Sequence, residues 1–335
     1  MDNRVSLKDI ARKVGVSTAL VSYVLNGLEK EKRVGDKVVI QIREAARELN
    51  YQPNQIARSL RRGSTKTIGL IVFDISNPFS AQITRVIEDE AVKNGFTVIF
   101  GSSDENRIKS GALIDTFLYR QVDGFIIAPV EGTESQIAAL IKKGIPVVLI
   151  DRYFPQLNVS HVILDNFQAT FDATNHLVKH GYKQIKMVAW LTSSTHMQER
   201  VRGYLEAMKL NNLEEEIDVV EVPLGPSKAE NEGFIEMKLK EMPSLDALLF
   251  ATNSLTLAGM YCINRLGIKV PQELGIVGFD GSEAFDFFYA PLSYVEQPLH
   301  VIGTKATSIL IGLINGEKEI KHQVVKPILN VRSSS

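Results

Sequence analysis

The spacing of apolar positions changes near residue 65 of this 335-residue chain. Before that point they recur every three to four residues, the period of a helix with one buried face. Leu7, Ile10, Ala11 and Val14 make one such face, and Val21, Val24 and Leu25 a second. Val39, Ile42, Ala46 and Leu49 make a third, in a helix expected from about Asp36 to Leu49. The first two helices each carry their own start signal. Ser6 is an N-cap with Asp9 at the capping-box position and Val5 and Ile10 at the staple positions, and Ser17 repeats the cap with Val16 and Val21. Gly15 supplies the backbone freedom of a sharp turn, Asn26-Gly27 stops the second helix, Asn50 suits a left-handed cap, and Pro53 blocks continuation. Two short capped helices across a tight turn, followed by a third, read as a helix-turn-helix head. Thr18, Ala19, Ser22 and Tyr23 then form an exposed face short enough for a major groove, and the capped helix start offers N–H groups to a phosphate oxygen.

Residues 54–62, NQIARSLRR between Pro53 and Gly63, predict about two further turns capped by Asn54. Isolated helices below roughly 12–15 residues are marginal in water, so this linker segment is expected to need DNA or a second copy to stay folded. From Lys66 onward short apolar runs alternate with longer amphipathic segments. TIGLIVF, FTVIF, GFIIAPV and PVVLID form one series, and VILDN, IKMVAWL, DVVEVPL, ALLFAT and GIVGFD a second. The pattern predicts an α/β body of parallel, doubly wound sheets, with more units than one compact half holds and therefore two lobes. The expected boundaries are a head over 1–53, a hinge over 54–65 and a body over 66–335. Within the body the N-lobe is expected at about 66–160 with 292–322, and the C-lobe at about 161–291 with 323–335. Ligands in such sheets collect at the carboxyl ends of strands, which directs attention to Asp74 to Phe79, Asp151-Arg152, Trp190, Thr252-Asn253 and Asp280.

Charge sharpens the division. The net charge of -1 hides a head of 13 Lys/Arg against 7 Asp/Glu over residues 1–65, and a remainder of 25 against 32. A basic head on an acidic body implies that a polyanion is met by the head alone. Cys262 is the only cysteine, which excludes an intramolecular disulfide and a cysteine-rich metal site, and fits a reducing compartment. No apolar run reaches membrane-spanning length and no leader precedes the first helix, so a cytoplasmic protein is expected. The loop after the first strand, FDISNPF, places a carboxylate where a phosphate-binding turn would place glycines. His176 and His180 have the spacing of a helical metal pair but lack a following glutamate, and His180-Gly181 suits a helix C-terminus. Neither a P-loop nor a G-x-S-x-G nucleophile occurs, so no metal, cofactor or catalytic residue is expected. The competing class is a solute-binding protein or sugar-processing enzyme on the same two-lobed body, which would need an export leader or a nucleophile.

The succession SLKDIARKVGVSTALVSYVLNG, ELNYQPNQIARSL, SNPF, PVVLIDR, HLVKHGYKQI, RVRGY, IVGFD and SYVEQP resembles the LacI family of transcriptional regulators over essentially the whole chain. The resemblance implies a homodimeric repressor or activator with a periplasmic-binding-protein-like body, a pseudo-palindromic double-stranded DNA operator, and a small effector, a sugar or sugar derivative. It places DNA contacts at Ser6, Ser17, Thr18, Ala19, Ser22, Tyr23, Asn26, Tyr51, Asn54, Ala57 and Leu60, with Leu60 as a minor-groove wedge. Effector contacts fall at Phe79, Asp151, Arg200, Asp280 and Gln297, joined by Trp190 and Asn253 at strand ends. Tyr23 stands where the family usually has arginine, and so cannot make a bidentate guanine contact. Thr252-Asn253 replaces the usual Asn-Asp. Trp190 has two readings, ligand stacking or packing between lobes, and Phe285, Phe287, Phe288 and Tyr289 are either pocket wall or inter-lobe packing. One last apolar strand over 324–331, with no heptad tail after it, predicts a dimer and not a tetramer.

Overall fold

A computed structural model describes residues 5–51, 64–224 and 227–335, and its contacts divide the chain into units 1–65 and 66–335. The hinge segment, with Asn54, Ala57 and Leu60, lies outside the described residues.

In the first unit, α1 (Leu7–Val14), α2 (Thr18–Leu25) and α3 (Asp36–Glu48) bury Ile10, Ala11, Val21, Val24, Val39, Ile42, Ala45 and Ala46 against one another. The Asp9 carboxylate accepts from the Ser6 N–H at 2.9 Å and from the Ser6 hydroxyl at 2.7 Å, a negative charge at the positive end of α1. Gly15 closes that helix in the left-handed conformation at φ 76°, which a side chain would strain. Ser17 accepts from the Leu20 N–H at 3.2 Å, and Asn50 takes its cap at φ 49°.

The second unit is two sheets. The first orders as β11-β5-β4-β3-β1-β2, built from β1 (Thr67–Val72), β2 (Thr97–Ser102), β3 (Gly124–Ile127), β4 (Val147–Ile150), β5 (Ser160–Leu164) and β11 (His322–Val325), all parallel. The second orders as β12-β10-β9-β8-β6-β7, from β6 (Ile185–Trp190), β7 (Val219–Val222), β8 (Ala247–Phe250), β9 (Gly275–Phe279), β10 (Ser293–Glu296) and β12 (Ile328–Asn330). It is parallel except where β12 meets β10. Strands covered on both faces need no polar alternation, and the sequence obliges: Val148 and Ile150 enter one core layer, Val147 and Leu149 the other.

Helices α4 (Pro78–Lys93) and α12 (Leu299–Ile314) pack together beside the first sheet, whose other helices are α5 (Arg107–Tyr119) and α6 (Glu134–Lys142). The second sheet carries α7 (Asn166–Lys179) and α8 (Thr195–Leu210), and α9 (Lys228–Glu241) and α10 (Asn253–Leu266), followed by the short α11 (Glu283–Phe287).

The strand pairings correct the expected lobe boundaries. VILDN belongs to the first sheet, because β5 pairs with β4 through Leu149 and His161. SYVE belongs to the second, because β10 pairs with β9 through Ser293 and Val277. The single strand expected over 324–331 is two, β11 in one lobe and β12 in the other, with Lys326-Pro327 crossing between them. The chain therefore passes between lobes three times, at 165, 297–298 and 326–327, and not at 160, 291 and 322. An apolar run shows that a strand is buried; hydrogen-bond register decides its neighbour.

One glycine sets how closely α7 and α8 approach. A Cβ on Gly203 would land on the Phe167 carbonyl oxygen and the Thr170 hydroxyl, backbone and short side chain with little room to yield. Gly203→Ala is accordingly expected to destabilise the body by about 1–3 kcal/mol, the usual cost of overpacking. Thermal unfolding that left the variant level with the parent would show that the helix pair absorbs the methyl group.

Candidate functional site

The carboxyl ends of both sheets face a cleft of about 440 Å³ between the lobes. It draws residues from nearly every strand end. Asp74 follows β1, Asp151 and Arg152 follow β4, Trp190 ends β6, Asn253 begins α10, Asp280 follows β9, and Gln297 lies in the crossing after β10. Phe79, Asp151, Trp190, Arg200, Asn253, Asp280 and Gln297 all line this one cavity.

Arg200 is its most confined charge, 2% exposed on α8. Its Nε donates to Asn166 Oδ1 at 2.8 Å and one terminal nitrogen to the Ala251 carbonyl at 2.6 Å, while the guanidinium lies 3.7 Å over the Phe279 ring. Burial lowers its pKa, opposed by the nearby Asp280 and Asp151. The Thr170 hydroxyl donates to the Arg200 carbonyl at 2.5 Å, so the tight α7–α8 contact at Gly203 also fixes where this arginine starts.

Asp280 and Asp151 sit at φ 58° and 63°, sparsely populated for residues with side chains, each held by the strand before it. Gln297 donates from Nε2 to Asp280 Oδ1 at 2.9 Å, and Asn253 donates to the Asp280 carbonyl at 2.7 Å. Burial raises Asp280 to about 6 despite Arg200, and burial raises Asp151 despite Arg152. Arg152 grips Glu105 with both terminal nitrogens at 2.9 and 2.6 Å, and its guanidinium lies 4.7 Å from the Phe73 ring.

Several cleft residues were not singled out by the sequence: Glu105, Glu131, Thr192, Ser194 and His196. Glu131 lies beyond the end of β3, where the strand-end rule points, and accepts from the Thr192 hydroxyl at 3.1 Å and from the Ser193 hydroxyl. It thereby ties one lobe to the other, as does the Thr195 hydroxyl donating to the Tyr153 carbonyl at 3.2 Å. His196, in the first turn of α8, carries no sequence signal at all. It is buried, and its Nδ1 has no hydrogen-bond partner.

Burial places the aromatic residues. Phe79 is buried and stacked on Phe73 at 5.8 Å, yet its edge reaches the cleft. Trp190 packs against the two C-lobe cores and turns its remaining surface to the cleft, so it does not pack between lobes. The run after Asp280 is neither cleft wall nor inter-lobe packing. Phe285 and Phe288 join the C-lobe core, Phe287 is 85% exposed, and the Tyr289 hydroxyl donates to the Ile268 carbonyl at 2.8 Å. His180 caps α7 with its Nδ1 2.8 Å from the His176 carbonyl, and His176 Nε2 lies 2.9 Å from the Ser335 hydroxyl. Among the described residues no group of three or more His, Cys, Asp or Glu is placed to hold a metal ion.

On the head, Ser6, Ser17, Thr18 and Ala19 are exposed, and Ser22, Tyr23, Asn26 and Tyr51 half-buried. Asn26 Nδ2 donates to the Ser22 carbonyl at 2.6 Å and to its hydroxyl at 3.2 Å, and Lys32 lies 5.9 Å over the Tyr23 ring. The surface of α2 therefore offers hydroxyls and a methyl group, with no arginine.

Residues 6–54 match the bacterial regulatory proteins of the lacI family, and residues 65–333 match the periplasmic binding proteins and sugar binding domain of LacI family. The chain belongs to the LacI family. It is 32% identical to catabolite control protein A of Priestia megaterium over 93% of both chains. It is 29% identical to the HTH-type transcriptional repressor PurR of Pasteurella multocida over 98% of both. The crystal structure of the lac repressor dimer bound to operator and the anti-inducer ONPF superposes with a TM-score of 0.88 and 24% identity, covering 99% of each chain. This LacI-family chain is a DNA-binding transcriptional regulator whose body provides small-molecule control, and it is not an enzyme. No helix among its described residues is long and apolar enough to cross a membrane.

The raised pKa of Asp280 gives a stability signature with a definite sign. An acid harder to ionise in the fold than in the unfolded chain costs stability above its folded pKa, and that cost disappears as pH falls toward 3.8. Asp280→Asn is expected to stabilise the ligand-free body at pH 7 by up to about 3 kcal/mol, the gain shrinking as pH falls from 6 to 4. Melting curves of parent and variant that stay parallel across that range would contradict the assignment.

Proposed function

We propose that this protein is a cytoplasmic repressor that binds a pseudo-palindromic double-stranded operator as a homodimer and releases or tightens it in response to a carbohydrate held in the cleft. The observation that carries the reading is the cleft wall itself. Carboxylates at Asp151 and Asp280 accept from neighbouring hydroxyls, Arg200 donates, and the exposed surface of Trp190 with the edge of Phe79 suits the apolar side of a sugar ring. Asn253 and Gln297 orient Asp280 from either side. An enzyme of the same body would need a nucleophile or a metal beside these groups.

In this reading the contacts on DNA come from Ser6, Ser17, Thr18, Ala19, Ser22, Tyr23, Asn26 and Tyr51 of the head, together with Asn54, Ala57 and Leu60 of the hinge. Phosphate contacts fix the register, and the α2 surface reads base edges. Effector binding shifts the population between two arrangements of the lobes, and two hinge copies report that shift at the operator dyad.

Arg200→Ala is the direct test, because Arg200 supplies hydrogen bonds to ligand and none to DNA. In gel-shift titrations it should hold the operator within about threefold of the parent while losing its response to effector. A normal response at normal effector concentration would remove Arg200 from the site. Leu60→Ala examines the hinge role. It should weaken specific binding and reduce the bend measured by circular permutation, yet keep salt-sensitive binding to random DNA. An unchanged bend with unchanged affinity would reduce 54–62 to a basic tether.

A further inference from the structure

The cleft is lined by five carboxylates, Asp74, Glu105, Glu131, Asp151 and Asp280, against two arginines and no lysine. Neither arginine offers an uncommitted two-pronged guanidinium edge to an anion. The terminal nitrogens of Arg152 are both spent on Glu105, and its Nε lies 3.4 Å from Asp151. Arg200 has already given its Nε to Asn166 and one terminal nitrogen to Ala251, which leaves a single amino group. A phosphate or carboxylate is held well by an uncommitted guanidinium fork, and the cleft has none. Three helix starts, α4, α8 and α10, do face it and would attract an anion. Two of them are capped by their own side chains, Asn77 accepting from Phe79 N–H at 3.0 Å and Thr252 from Leu255 N–H at 3.3 Å. Beside the third lies Glu131, bound to Thr192 and Ser193 just before α8.

What the walls lack points the same way. Two wall atoms have no hydrogen-bond partner: Gln297 Oε1, which accepts, and His196 Nδ1, which donates or accepts in a neutral ring. The Gln297 and His196 side chains are more than nine-tenths buried. Burial and the adjacent Arg152 and Arg200 charges hold the His196 imidazole neutral, with its pKa well below the ordinary value. A hydroxyl group, which donates and accepts at once, suits both, whereas an ionised phosphate or carboxylate has no hydrogen to give the Gln297 acceptor.

We propose that the cleft selects an uncharged polyhydroxylated molecule and rejects phosphorylated or carboxylated ones, and that His196 contacts one of the ligand's hydroxyls. The proposal rests on the reading of the cleft as the effector site. It sorts candidate effectors by charge, independently of ring size.

The test is thermal unfolding of the full-length protein with matched probes: ribose and ribose 5-phosphate, glucose with glucose 6-phosphate and glucuronate, cellobiose, and inorganic phosphate. A ligand that binds only the folded state raises the melting temperature by mass action. At least one neutral sugar should stabilise the parent, with any charged counterpart tested binding at least tenfold more weakly. His196→Ala should weaken that sugar at least tenfold, and His196→Gln, which keeps a donor and an acceptor, should recover part of the loss. Stabilisation by a phosphorylated sugar, by glucuronate or by inorganic phosphate overturns the proposal, as does a panel in which no neutral sugar acts. Unchanged affinity in His196→Ala overturns the histidine's role. If the active sugar binds Arg200→Ala and Asp280→Asn as well as the parent, the cleft reading itself has failed, and the selectivity falls with it.

Discussion

A guanidinium stripped of water at the seam of two lobes is the constraint on which the body depends. Burying such a charge costs several kcal/mol unless its donors are met, and an unmet one is worse than an apolar replacement. Arg200 meets the requirement with parts from well-separated stretches of chain: Asn166 at the start of α7, the Ala251 carbonyl beyond β8, and the face of Phe279 at the end of β9. Each part must arrive together with the others. Asp280 and Asp151 then stand on the two sides of it, one from each lobe, and both are harder to ionise for being enclosed. The cleft is consequently an unfinished electrostatic arrangement.

The groups deep in the cleft and those at its mouth are held differently. Arg200, Asn253 and Gln297 are anchored within secondary structure or beside it and are nearly inaccessible. The links that span the lobes at Glu131 and Tyr153 are hydrogen bonds to short hydroxyl side chains, individually modest and replaceable by water.

The head could be read in the sequence because its signals are local. Ser6, Gly15, Ser17 and Asn50 each act within a few residues of where they stand, and each adopts the geometry its chemistry requires. The body's strands were equally visible, since buried parallel strands are continuous apolar runs. Their membership was not. β5 and β10 went to the wrong lobe because nothing inside VILDN or SYVE names the strand it pairs with, and one run hid both β11 and β12. The cleft was legible where a residue terminates a strand, as Asp151 and Asp280 do. It was illegible at His196, which the fold buries beside the charges of Arg152 and Arg200 and which nothing in its own stretch of sequence marks.

The three crossings between lobes have a mechanical consequence. They leave β5 and β11, neighbours at one side of the first sheet, and β10 and β12, neighbours at the matching side of the second. A single tether would let the lobes swivel and shear in any direction. Three strands of chain fastened along the same two sheet margins resist twist and sliding of one lobe against the other. Relative movement of the lobes is therefore confined far more than one connection would confine it.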